Sequence, residues 1–325
     1  MSWKTGQRTC NAVENLTGSA DRLRWAGRAQ SVTARDSSAF GGQGAQARVS
    51  AKLLSPVGWR AVTLWASLTC AAWLVLGPVR AQSAADLELV IAVDVSLSMD
   101  LDEQRLQRDG YVAAFRDPEV HKAITSGPNG RVAVTYVEWA GPLTQQVILP
   151  WTTIDGAPAA RAFADRLEAM PISRARMTSI SAALQFSGHL FESSGVRGIR
   201  RVIDVSGDGP NNAGVPVAGV RDELVAQGFV INGLPIMLKM ATGFFDLADL
   251  DRYYSDCVIG GMGAFMIPIK EKSEFLTATR RKLLLEIAGH EPPAEIIRVQ
   301  SPEEASDCLI GERQWRRYMD GRFPN

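Results

Sequence analysis

Histidine is scarce in this chain of 325 residues, with only three copies. His121, His189 and His290 stand far apart, and none lies at metal-ligand spacing from another, which disfavours a His-rich catalytic metal centre. Cysteine is nearly as rare. Cys10, Cys70, Cys257 and Cys308 include no C-x-x-C pair, which argues against thioredoxin-type redox chemistry and against structural zinc. Charge of one sign is missing too, because 35 Lys and Arg balance 35 Asp and Glu. A nucleic-acid binder usually carries a basic domain or stripe, and this balance gives no such footprint. No G-x-S-x-G elbow is present, so an α/β hydrolase lacks its nucleophile turn. The glycine-rich stretch 260–263 lacks the Lys-Ser/Thr ending of a phosphate-binding loop. Internal repeats are absent.

The first eighty residues differ from the rest. Residues 1–50 are polar, rich in Gly, Ala, Ser, Arg and Gln, and keep no period of 2 or 3.6. Such a stretch buries too little apolar surface to offset its ordering entropy. Residues 1–48 are therefore expected to be disordered, or an extension set ahead of a true start near residue 49. Arg48, Lys52 and Arg60 then precede an apolar run over 61–76, Pro78 breaks it, and Val79-Arg80-Ala81 gives a small-residue exit. This order predicts a signal peptide over 49–81, cleaved after Ala81, and a periplasmic or secreted chain. A retained inner-membrane anchor is the alternative, because the run approaches the ~17 residues a spanning helix needs. Cys70 falls inside the run instead of after it, which does not suit a lipoprotein signal. Export leaves Cys257 and Cys308 in an oxidising compartment, where a disulfide between them or two separate buried thiols are both open readings.

From Leu87 onward strands alternate with helices. The β-branched run 87–94 suits a strand buried on both faces. Helical spacing follows over 101–115, then a strand over 131–139 and, after Gly141-Pro142, an antiparallel edge strand over 143–151. Helices are predicted over 157–170 and 179–191, and a strand over 201–206 ends in Gly207-Asp208-Gly209-Pro210. A helix over 217–227, a strand over 229–235, a short helix over 247–254 and a weak strand over 264–267 complete the alternation. The long helix over 271–288 closes the domain, with Gly289 as its C-cap. The pattern predicts an α/β fold with a doubly wound, mainly parallel sheet flanked by helices and one antiparallel edge strand. The domain is expected over 86–290, with a tail over 291–325 lying on its surface.

Chemistry concentrates at the end of the first strand. Asp94, Ser96 and Ser98 alternate, so in an extended turn their oxygens can point the same way. A carboxylate and two hydroxyls make a hard oxygen site of the kind Mg²⁺ prefers, with Mn²⁺ or Ca²⁺ as other candidates. Asp208 follows a later strand and can reach the same point if the strands are neighbours. Thr178 opens a helix and offers a third hydroxyl. By chance alone D-x-S-x-S arises in roughly one chain in ten of this length, so its placement carries the argument. Each residue also has a plainer reading: a helix cap for the Ser and Thr residues, a turn residue for Asp208. Asp100 and Asp102 are read as a helix start, where carboxylates suit the dipole.

Asp94-x-Ser96-x-Ser98, Thr178 at a helix start and Ser206-Gly207-Asp208-Gly209 together resemble the three loops of a von Willebrand factor A (vWA) domain. More narrowly, the run Arg201–Gly209 with Tyr253-Tyr254 and Val258-Ile259-Gly260-Gly261 resembles DUF1194, an uncharacterised family of exported bacterial proteins. The resemblance implies a metal-ion-dependent adhesion site. Ser96, Ser98 and Thr178 would coordinate directly, Asp94 and Asp208 through water or hydrogen bonds, and an open position would accept an Asp or Glu carboxylate from a partner protein. It implies binding and not catalysis; the charge balance gives no expectation of a nucleic-acid partner, and the leader allows membrane contact only through an uncleaved anchor. Two other readings are open. One is a structural protein with a vestigial site. The other is a Mg²⁺-dependent phosphatase, suggested by Gly207-Asp208-Gly209-Pro210-Asn211-Asn212 but lacking the second Asp that would have to stand at Ser96.

Overall fold

The computed structural model describes residues 82–239, 246–289 and 305–321. The leader expected over 49–81 and the extension over 1–48 lie outside the described residues.

Strand β1 (Ser83–Asp94) is buried along its last ten residues. Its alternation splits two apolar layers. Leu87, Leu89, Ile91 and Val93 join Tyr111, Phe115, Phe163 and Leu283 in one layer. Val90 and Ala92 join Ile180, Leu184, Val220 and Tyr253 in the other. A strand that is apolar on both faces has to be covered on both, and helices do so here. Helices α1 (Leu101–Arg116), α2 (Pro118–Ser126), α3 (Ala157–Ala169) and α7 (Phe275–Ala288) contribute to the first layer; α4 (Ile180–Leu190), α5 (Val217–Ala226) and α6 (Leu250–Tyr253) to the second.

The five-stranded sheet runs β3-β2-β1-β4-β5, with β2 (Val132–Trp139), β3 (Gln145–Ile154), β4 (Val196–Gly207) and β5 (Val230–Pro235). All neighbours pair in parallel except β2 with β3, which is antiparallel as its edge position predicts. After β1 the chain winds outward to one edge, then returns to the other side of β1 as β4. Strand order reverses between β1 and β4, where open α/β sheets bind ligands at the carboxyl ends. Val93 pairs with Ser206 at that point.

Several boundaries differ from the sequence reading. Strand β4 begins at Val196 because its first residues pair with the exposed start of β1, and the Gly198 amide donates to Glu88 Oε1 at 2.6 Å. Helix α2 went unpredicted, although Asp117 caps it and Pro118 occupies its first turn. The segment around 264–267 makes single bridges, Gly233 to Met266 and Ile236 to Ile269, in place of a strand. The short helix narrows to Leu250–Tyr253 and continues as a π turn over Tyr254–Val258. The tail holds a helix, α8 (Ile310–Met319), docked through Gly311 against Asn211. Cys257 and Cys308 are disulfide-bonded with Cα atoms 5.4 Å apart, fastening that tail. Gly289 caps α7 in the left-handed region at φ 64°.

A charge cluster lies under β4 and β5. Lys282 is 2.6 Å from Asp204 and also pairs with Glu286, all three fully buried. Tyr111 donates to Asp204 at 2.9 Å and Asn232 to Glu286 at 3.2 Å. One ammonium cannot neutralise two buried carboxylates. Burial and the Asp204 charge push Glu286 up to about 7, against the lowering pull of Lys282. Burial opposes the charged form of Lys282, but Asp204 and Glu286 outweigh it and hold its pKa high.

Two outcomes follow. The folded chain holds a proton on Glu286 more tightly than the unfolded chain does, so this group's stabilising contribution is full below its ordinary pKa of about 4.5 and is lost as pH rises to about 7. Glu286→Gln should flatten that part of the slope of unfolding free energy against pH in denaturant titrations; an unchanged slope counts against the assignment. Reducing the disulfide, which spans 51 residues, should lower stability by up to about 4 kcal/mol on the loop-entropy model. Calorimetric melts with and without reductant measure it.

Candidate metal centre

Asp94 ends β1 with its carboxylate fully buried. The Ser96 amide donates to Asp94 Oδ1 at 2.7 Å, which curls the loop back over the strand end. That turn sets Ser96 Oγ 2.7 Å from Ser98 Oγ, and Ser98 Oγ donates to Asp208 Oδ1 at 2.6 Å. The loop then passes into α1, where Asp100 accepts from the amides of Asp102 and Glu103 while Glu103 reaches back to the Asp100 amide. Asp100 is thus a cap in a capping box, as the helix-start reading expects.

Asp208 arrives on the neighbouring strand. Gly207 ends β4, and a Cβ there would stand 2.9 Å from Asp94 Oδ2 and 3.0 Å from the Tyr254 hydroxyl, so a side chain at 207 would displace Asp94. Thr178 is delivered by a long loop with its own anchors. Ala175 donates to the Val95 carbonyl, Ser179 to the Ala140 carbonyl and Ser173 to Glu138 Oε2. Glu138 is itself held by a buried ion pair with Arg108. Met177, at φ 70°, carries the one left-handed non-glycine backbone among the described residues, and it turns the chain into Thr178. Asn212 then joins this loop to the Asp208 loop: the Thr178 amide donates to Asn212 Oδ1 at 2.9 Å, and the Asn212 amide to the Thr178 carbonyl at 2.8 Å.

All five sequence-predicted residues therefore gather at the end of β1 and β4. Asp94, Ser96, Ser98 and Asp208 form one linked group, and Thr178 lines the same cavity of about 610 Å³ with Ser98 and Asp208. Within the linked group one buried oxygen is left over. Asp94 Oδ2 is buried and accepts no hydrogen bond among the described residues. Burial first, and Asp208 second, raise the pKa of Asp94 well above the carboxylate range. Burial also pushes Asp208 up to about 6, although the Ser98 hydroxyl and Lys239 pull the other way. Two acids short of positive charge, flanked by three hydroxyls, are a donor set that fits a hard divalent cation. The described residues contain no cluster of three His, Cys, Asp or Glu for a metal, so any ion here depends on the hydroxyls.

Sequence reasoning missed Lys239, Glu103 and Asn212. Lys239 Nζ donates to the Ser98 carbonyl at 2.5 Å and to Glu103 Oε2 at 2.6 Å, and stands 4.0 Å from Asp208 Oδ2. A contact between residues 141 positions apart leaves no local pattern to read. Asn212 was legible only as part of a loop motif; its service as a clasp depends on where Thr178 comes to lie.

The chain matches the family described as "Protein of unknown function (DUF1194)" over residues 84–291. No curated protein matches it. Among solved structures it is similar to proximal thread matrix protein 1 from the mussel byssus, described "with zinc occupied MIDAS motif", at 15% identity and TM-score 0.44, covering 64% of this chain and 49% of that one. A von Willebrand factor type A protein from Catenulispora acidiphila is similar at 14% identity and TM-score 0.43, over 63% of this chain and 43% of its own. An aerotolerance-related membrane protein from Bacteroides fragilis shows 19% identity and TM-score 0.39, over 63% of this chain and 100% of its own. The chain spans about half the length of the mussel protein.

Lys239 places a competing positive charge beside the acids. Lys239→Met should tighten Mg²⁺ binding on the order of tenfold, the scale of removing one charge from a part-exposed divalent site. Titration calorimetry against the parent chain reads this; weaker binding in the variant would show that Lys239 instead supports the loop.

Proposed function

This chain belongs to the DUF1194 family, and from that premise we propose that it is an exported, metal-dependent protein-binding module that captures an acidic side chain of its partner through a divalent ion. One observation carries the reading: Asp94 Oδ2, a buried carboxylate oxygen without a donor, next to a second acid and two hydroxyls that already touch one another. Leaving such an oxygen unmet costs on the order of 1–3 kcal/mol, and more when it is charged. A cation arriving from solvent removes that cost.

Ser96, Ser98 and Thr178 would hold the ion, with Asp94 and Asp208 acting through water or hydrogen bonds. Mg²⁺ suits hard oxygen donors, and Mn²⁺ or Ca²⁺ are the other candidates. When bound, the ion supplies a positive centre with room for one more oxygen ligand. The protein's own part is positional. Asp94 orients the Ser96 amide, Asn212 fixes Thr178 against the Asp208 loop, and Lys239 limits the negative charge at the rim. The cavity beside Asp208 gives an incoming chain somewhere to lie, with Leu247 and Leu250 in its apolar wall and Lys270 as a second cation. Both lysines are already paired, Lys239 with Glu103 and Lys270 with Asp251, so the ion itself would supply the charge that an acidic ligand meets. The disulfide supports the exported location, since such bonds persist in oxidising compartments.

Asp94→Ala should abolish Mg²⁺ binding while leaving the fold largely intact, because it removes a buried acid that has no counter-charge among the described residues. Calorimetric titration of parent and variant measures the binding, and circular dichroism the fold. Equal Mg²⁺ affinity in the two proteins would sink the metal reading. A pull-down from periplasmic extract, with and without EDTA, then tests whether partner capture depends on the ion.

A further inference from the structure

The paired tyrosines Tyr253-Tyr254 are not among the metal donors, yet both hydroxyls lie against residues that build that site. Tyr253 closes α6 and Tyr254 opens the π turn, where the Ile259 amide donates five residues back to the Tyr254 carbonyl at 2.9 Å. Single π turns are rare and recur at functional sites. Cys257 stands on the same turn, so its bond to Cys308 anchors the segment. Both tyrosines are fully buried. The Tyr253 hydroxyl is met by the Asn211 amide at 3.1 Å, beside the Asn212 clasp. The Tyr254 hydroxyl accepts and donates nothing among the described residues.

Two glycines clear the path of Tyr254 across the sheet. A Cβ on Gly233 of β5 would stand 2.7 Å from its ring at Cδ1, and a Cβ on Gly207 of β4 would stand 3.0 Å from its hydroxyl. The ring therefore crosses from β5 to β4 and carries its oxygen toward β1. There Asp94 Oδ2 lies 2.9 Å from the same Gly207 position. Two buried polar atoms thus flank one point, and neither has a hydrogen-bond partner among the described residues, so they are not bonded directly to each other. One is a carboxylate oxygen that accepts, and the other a hydroxyl with a proton to give. Leaving both bare is costly, and buried waters settle at such groups. A gap too wide for a direct bond is what one bridging water spans.

We propose that Tyr254 is a positioning residue of the metal centre, its hydroxyl donating through one bridging water to Asp94 Oδ2 and so fixing how that carboxylate is turned. The Ser96 amide already holds Oδ1. With Oδ2 tethered as well, the carboxylate no longer rotates about its own axis. A group fixed in advance loses less freedom when a cation arrives, which raises affinity. A neutral donor answers the oxygen's need for a hydrogen bond and leaves its charge unanswered, so the ion is still required. The role rests on the metal reading above; the link between the two side chains rests on the geometry at Gly207 alone.

The test uses the full chain with carbon-13 at the ζ carbon of its five tyrosines, whose NMR signals follow what each hydroxyl bonds to. Tyr254→Phe keeps the ring and removes only the oxygen, so it identifies the Tyr254 signal by its loss. Without any metal, Asp94→Asn should move that signal by more than it moves the Tyr253 signal. Mg²⁺ added to the parent chain should move it again. In titration calorimetry Tyr254→Phe should bind Mg²⁺ about tenfold more weakly than the parent, the worth of one charge-assisted hydrogen bond. Equal Mg²⁺ affinity in the two proteins overturns the proposal, whatever happens to the melting temperature, because Tyr254 is then packing alone. A Tyr254 signal indifferent to Asp94→Asn overturns it too. A parent chain that binds no Mg²⁺ while that signal still moves overturns the metal reading and supports the link, so the two failures are told apart.

Discussion

Parallel pairing of β1 with β4 sets two carboxylates, Asp94 and Asp208, at the same end of the sheet, and Gly207, just before Asp208, leaves no room for a side chain against Asp94. Parallel strands bring their carboxyl ends together by construction, and the reversal of strand order opens a crevice there. Neither acid has a full counter-charge. Lys239 stands 4.0 Å from Asp208 but is spent mainly on Glu103 and the Ser98 carbonyl. Much of the surrounding architecture keeps this uncompensated pair in place, and each support lies outside the motif itself.

Those supports form a chain of dependence. Arg108 pairs with Glu138 and also donates to the carbonyls of Leu167 and Met170, which fixes where helix α3 stops. Glu138 then holds the Ser173 amide, so the loop leaves α3 toward the strand end and not away from it. Asn212 joins the loop to Asp208, while Asn211 accepts from the Ser181 amide and donates to Glu312 on the disulfide-fastened tail. Helix α8, which lies beyond the family match at 84–291, therefore bears on the same loop as the acids. A tail read from its composition as surface covering is, at Gly311 and Glu312, part of the packing behind that loop.

What the sequence made legible follows from how local each signal is. The β1 run and its terminal Asp94 could be read because burial on both faces forces a β-branched stretch that no polar residue interrupts after Glu88. The alternating serines could be read because an extended turn has period two. Gly289 could be read as a cap because the left-handed region favours glycine. Helix α2 was missed despite a readable signature, Asp117 followed by Pro118, because it is short and begins one residue after α1 ends. The start of β4 was missed because Arg197 and Arg200 look like loop, although their backbones pair with β1. Lys239 and the Asn212 clasp had no local signal, since both join segments that only the folded topology brings together.

Three acids at the carboxyl ends or interior of the two central strands show how compensation divides structural charge from functional charge. Asp204, on β4, faces the α7 layer and meets Lys282 and the Tyr111 hydroxyl, so its charge is answered inside the protein. A buried charge answered in this way has no need of solvent ions. Asp94 and Asp208 lie a few residues further along the same two strands, where the helices give way to loops and, among the described residues, no lysine is fully buried to meet them. The chemistry of the three groups is the same; the difference is whether a helix supplies a cation at that height of the sheet. Where α7 does, the acid's charge is met inside the fold. Past its reach, the same acid is left with a bare oxygen at the rim of a cavity, and the cation that completes it has to come from outside.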